Sequence, residues 1–142
     1  MNTLRVHRRH LAQLAGALCV CLAPELAWAG SYLDRASLLV FEANAELDYL
    51  RRKLYDRELG RMIHELSEAR LRAGRDMMVP KEVIQAHPHL LLFLENCERA
   101  AEQAADGRGK AFIKFLALAR SEEQLFRGIL KQLGWELPEF GR

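Results

Sequence analysis

Residues 31–73 read SYLDRASLLVFEANAELDYLRRKLYDRELGRMIHELSEARLRA, 43 positions with no proline and one glycine, Gly60. Leu33, Ala36, Val40, Ala43, Leu47, Leu50 and Leu54 are spaced alternately by three and four, which is one face of an α-helix. The alternation fails at Arg57 and Arg61, and a shifted set, Leu59, Met62, Leu66 and Ala69, carries the apolar stripe onward. The stretch therefore predicts either one long helix running through Gly60 or two helices broken near it. Ser31 followed by Asp34 marks the expected start, in the manner of a capping box. Asp48 with Arg52 and Glu68 with Arg72, acid before base four apart, add support on the surface.

The chain beyond this stretch is punctuated by proline and glycine. Pro80 and Pro88 bound a short segment, Lys81 to Ala86, long enough for a single turn. Pro88 suits the first position of the next helix, where its missing N–H costs nothing. Leu90, Phe93, Cys97, Ala100 and Ala104 then repeat the three-and-four spacing until Asp106-Gly107, and Gly107-Arg108-Gly109 forms a tight connector. From Lys110 to Leu133 the apolar set is Phe112, Leu116, Ala119, Phe126, Leu130 and Leu133, with Gly134 and Pro138 ending the run. No segment alternates with period two. The fold class is therefore all-α. Short connections favour antiparallel neighbours, giving a small up-down helical bundle of three helices, or four if the first breaks near Gly60.

The amino-terminal residues have a different character. Arg5, Arg8 and Arg9 precede an apolar run from Leu11 to Ala23, and Ala27-Trp28-Ala29 places small residues at −3 and −1 of a cut before Gly30. That is the pattern of a cleavable signal peptide, and the apolar run is shorter than the ~20 residues a membrane-spanning helix needs. Residues 1–29 are thus expected to be a leader, residues 30–142 a single exported domain in the periplasm or outside the cell, with no stable membrane anchor after cleavage. Removing the leader takes three of the 21 basic residues and one of the 19 acids, leaving 18 of each. A neutral domain offers no global electrostatic reason to bind nucleic acid. Cys19 and Cys21 depart with the leader, so Cys97 remains alone and has no partner for an intramolecular disulfide.

Several residue groups have the types that chemistry needs. His64-Glu65-Leu66-Ser67-Glu68 approaches the zinc-protease pattern H-E-x-x-H, with Glu68 where the second imidazole belongs. A carboxylate can take that place on a metal, but a third ligand has to come from elsewhere in the fold. His87 and His89, with Cys97 and His64, are the other candidate ligands for a transition metal. Cys97, however, lies in line with Leu90, Phe93 and Ala100, where a cysteine behaves as a small apolar side chain. Di-iron bundles need glutamate three residues before histidine, and Arg61, Ile84 and Ala86 stand there instead. Gly107-Arg108-Gly109-Lys110 lacks the spacing of a phosphate loop. No catalytic constellation and no cofactor motif emerges. Exported helical chaperones and metal-stress sensors share the outline, but the L-T-x-x-Q signature of one such group is absent, and no family is assigned.

The leading functional expectation is a non-enzymatic interaction or scaffold protein, binding a protein partner or forming a homodimer. Leu38, Leu39, Val40 and Phe41 are consecutive, and four successive helical positions encircle the axis. A helix apolar all round has to be covered on every side. As one helix, 31–73 would span ~65 Å at ~1.5 Å per residue, far longer than its neighbours. Leu38, Val40 and Phe41 are the expected interaction surface. The alternative is a ligand- or metal-binding module built on the histidines.

Overall fold

The computed structural model describes residues 24–140; the basic and apolar segments of the expected leader, residues 1–23, lie outside them. Four helices form: α1 Pro24–Arg51, α2 Arg57–Arg75, α3 His87–Ala105 and α4 Gly109–Gln132. A 3-10 turn at Lys81–Val83 links α2 to α3, and there is no strand among the described residues. No described helix is long and apolar enough to cross a membrane. α3 packs along both α2 and α4, while α1 lies against α2 and α3.

The first helical stretch does break, but not at its glycine. α1 ends at Arg51, a turn carries the chain to Asp56, and α2 runs through Gly60 without interruption. The turn is closed by backbone bonds from Lys53 N–H to the Leu50 carbonyl (2.9 Å) and from Asp56 N–H to the Lys53 carbonyl (3.0 Å). Asp56 then adopts an extended conformation, and its Oδ1 accepts from the Leu59 N–H at 3.0 Å. That is an N-cap, which satisfies one of the orphan amides of the new helix. The long-helix reading is thereby overturned, as is the start at Ser31: α1 is helical from Pro24, which leaves Ser31 within it.

Gly60 has a different task. A Cβ built there would meet the Ala105 amide nitrogen at 2.7 Å, and at Gly74 it would meet Leu94 Cδ1 at 2.7 Å. The two glycines let α2 lie close along α3, antiparallel to it. Consequently the inner face of α2 is Gly60, Ile63, Ser67, Arg70, Leu71 and Gly74. Of the expected stripe, Leu59 packs against the core while Met62, Leu66 and Ala69 face solvent. Gly60 and Gly74 set which face of α2 meets α3, and Met62, Leu66 and Ala69 lie on the other side of the helix from it.

The other stripes are buried as their spacing predicts. Leu33, Ala36, Val40, Ala43, Leu47 and Leu50 of α1 pack into one core with Leu90, Phe93, Cys97, Ala100 and Ala104 of α3 and Phe112, Leu116, Ala119, Phe126 and Leu130 of α4. Each fully buried leucine or phenylalanine contributes roughly 1.5–3 kcal/mol relative to exposure. Pro88 sits in the first turn of α3, and Gly107 turns the chain with φ +74° between α3 and α4. The chain past α4 folds back: Leu137 is buried, and Ser37 Oγ of α1 donates to the Pro138 carbonyl.

Polar side chains fasten α1 to the rest. Asn44 Nδ2 donates to Glu123 Oε2 at 2.8 Å, Arg120 donates to Asn44 Oδ1 and, at 3.0 Å, to Asp48 Oδ1. Arg70 of α2, with 6% of its side chain exposed, reaches Glu46 at 2.7 Å and Glu42 at 3.7 Å. A buried guanidinium is tolerable only when carboxylates offset its desolvation.

Candidate functional site

α1 has two apolar faces. The inner one is the core stripe above. On the opposite side, Leu38, Phe41, Ala45 and Tyr49 are spaced three, four and four apart, which keeps them within one narrow arc of the helix. All four are exposed, Leu38 at 43% and Phe41 at 48%. The row is ~16 Å long at ~1.5 Å per residue, with exposed Asp34, Arg35 and Glu42 beside it. Phe140 leans on Phe41 at a ring separation of 6.3 Å and is itself partly exposed, and Lys53 lies over the Tyr49 ring at 4.9 Å. Of the three residues expected to form an interaction surface, the structure leaves Leu38 and Phe41 outside. It puts Val40 in the core at 1% exposure, because Val40 belongs to the inner stripe.

The histidines part company. His87 Nδ1 is 3.1 Å from the Tyr32 hydroxyl, and the rings meet edge to face at 5.8 Å. Burial holds the His87 pKa below the usual imidazole value and pushes the Tyr32 phenol up. His89 instead pairs with Glu122 of α4, Nδ1 to Oε2 2.8 Å. Cys97 is 1% exposed in the core, and burial drives its thiol pKa upward, away from thiolate chemistry. Eight residues of α3 separate His89 from Cys97, ~12 Å along the axis, so His87, His89 and Cys97 are not brought to one centre.

A different group does converge. His64 and Glu68, one turn apart on α2, share a face. Glu98 of α3 comes up opposite them, its Oε1 2.6 Å from His64 Nε2. One ligand atom from each of His64, Glu68 and Glu98 lies within 4.8 Å of the others, and this is the one such trio among the described residues. His64 and Glu98 are mostly covered, with side-chain exposures of 26% and 19%, while Glu68 is open to solvent. Sequence reasoning supplied the first two members but not Glu98. Glu98 lies 34 positions away from His64, and only the register of α2 on α3 delivers it.

Arg51, Arg52, Lys53, Arg57 and Arg61 run from the end of α1 through the turn into the start of α2, all exposed to solvent, with Arg61 paired to Glu58. Arg57 reaches across to Gly107, and between the two turns lies an open groove of about 570 Å³ edged by Tyr55, Arg57, Lys110 and Ile113. No family model, curated protein or solved structure matches this chain.

Proposed function

We propose that this chain is an exported, non-enzymatic interaction module that engages a protein partner through the outer face of α1. The observation that carries the reading is the outward row Leu38, Phe41, Ala45 and Tyr49, set on the side of α1 opposite its core stripe. Single exposed apolar residues are ordinary on any protein surface, but a contiguous row rimmed by charge marks a contact site. An amphipathic partner helix, or the same face of a second copy, is the shape that covers such a row. Export rests on the basic, apolar and A-x-A segments at the amino terminus.

Light scattering on the mature chain and on Phe41→Asp, with circular dichroism of both, tests the proposal. Wild type is expected to self-associate, or to cross-link to a protein partner through a photoreactive residue at position 41 in the exporting cell. Phe41→Asp is expected to lose that association while keeping its helicity and melting point, because position 41 faces out. A monomer that cross-links to nothing, or a Phe41→Asp variant that unfolds, defeats the reading.

A further inference from the structure

We infer that His64, Glu68 and Glu98 form a binding site for one first-row divalent cation, Zn(II) foremost, that clamps α2 to α3. Three observations converge. The donor set is one imidazole and two carboxylates, each from a residue fixed on a helix rather than on a loop. Their ligand atoms lie within 4.8 Å of one another. Glu68 makes no hydrogen bond or ion pair among the described residues, although it stands beside the His64–Glu98 pair.

The distances are those of a site that needs only side-chain rotation to close. Zinc takes histidine nitrogen and carboxylate oxygen at ~2.0–2.2 Å, so tetrahedral neighbours sit ~3.4 Å apart. The 2.6 Å contact between His64 Nε2 and Glu98 Oε1 opens slightly to admit the ion, and the Glu68 carboxylate swings inward. Two carboxylates give the trio a negative charge that a dication offsets. The imidazole favours zinc and its neighbours over calcium or magnesium, which prefer all-oxygen shells. The absence of thiolate disfavours Cu(I). Three protein ligands leave the fourth position to water on the exposed side, where Glu68 stands. Glu65, next to His64, is about a quarter-turn or more around the helix and takes no part.

A plain His64–Glu98 ion pair between two helices makes different predictions from a metal site, and Glu68 separates them. Untagged full-length protein, stripped with chelator, is titrated with Zn(II) by calorimetry against a chromophoric competitor, and with Co(II) by visible absorption. Wild type is expected to take up one equivalent, to melt at higher temperature with the ion, and to give the intense d–d bands of tetrahedral cobalt. Glu68→Gln is expected to weaken Zn(II) binding at least about tenfold, the order seen when metal sites lose supporting groups, while its metal-free melting point is unchanged. His64→Gln is expected to abolish binding. Failure of wild type to bind Zn(II) at protein-equimolar concentration overturns the inference. So does undiminished binding by Glu68→Gln, or binding lost on His89→Gln rather than His64→Gln. None of these outcomes bears on the outer face of α1, which lies on another helix.

Discussion

Gly60 touches the backbone of Ala105 so closely that a methyl group at position 60 would sit 2.7 Å from the Ala105 nitrogen and 2.9 Å from its Cα. Two effects oppose each other in Gly60→Ala. Alanine is the better helix former by ~1 kcal/mol, whereas forcing extra volume into a packed contact costs ~1–3 kcal/mol. The obstructing atoms are backbone, which cannot rotate aside, so the packing cost wins. Gly60→Ala is expected to lose ~1–2 kcal/mol in urea denaturation. Gly128 of α4 has nothing within 4 Å of its would-be Cβ, so Gly128→Ala is expected to gain ~0.5–1 kcal/mol. Stabilisation by both substitutions would contradict the close approach of α2 and α3.

Glu123 is a carboxylate with 11% side-chain exposure, accepting from Asn44 at 2.8 Å and from Arg127 Nε at 2.9 Å, with Arg120 Nη1 at 3.5 Å. It occupies the core-facing position between Ala119 and Phe126, where the apolar spacing of α4 skips a beat. Removing one member of such a network leaves the rest desolvated. Glu123→Ala is expected to cost ~3 kcal/mol, and a double-mutant cycle with Asn44→Ala should return a coupling of ~1 kcal/mol. Additive losses would mean that Asn44 and Glu123 do not hold α1 and α4 together.

His87 supplies a pH dependence whose sign is fixed. Burial holds its pKa in the folded protein below the 6.5 of the free side chain, so the unfolded chain binds the proton more readily. Its contribution is full above pH 6.5, falls as pH drops through that value, and levels off below the folded pKa. Wild type should therefore lose more stability than His87→Asn between pH 7.5 and 5. Parallel curves for the two proteins would remove His87 as the cause.

Cys97 should be silent until the bundle opens. At 1% exposure, with its thiol held protonated by burial, it is expected to react with a bulky disulfide reagent only at the rate of unfolding. Cys97→Ala, a small truncation in a packed core, should cost about 1 kcal/mol. Rapid labelling of the native protein would show that α3 is less covered than described.

The sequence announced α3 and α4 well, since spacing, Pro88, Gly107 and Gly134 all mark the same boundaries. It was less candid about α2. Gly60 looked like a breaker because glycine weakens helices, yet here it is a contact point whose reason lies on α3, at Ala105. The real break falls on Arg52-Lys53-Leu54-Tyr55, which contains neither glycine nor proline, and Asp56 lacks the glutamate three residues on that would complete a capping box. Met62 and Leu66 imitated a core stripe, but the face of α2 that meets the bundle is the one carrying Gly60, Ile63, Ser67, Arg70, Leu71 and Gly74. For the same reason His64 and Glu68 were legible as a pair, while Glu98 was not.

The fastening of α1 also sets an order in time. Asp48 waits for Arg120, Asn44 for Glu123, and Ser37 for Pro138, partners 72, 79 and 101 positions later in the chain. The α2–α3 and α3–α4 hairpins close over short loops and have all their contacts at hand. On a ribosome, the helix made first can rest on α2 and α3 as they appear, but its fastening to α4 and to Pro138 waits until the final residues emerge. A chain with that itinerary completes its bundle only when its last helix and the segment after it close over its first.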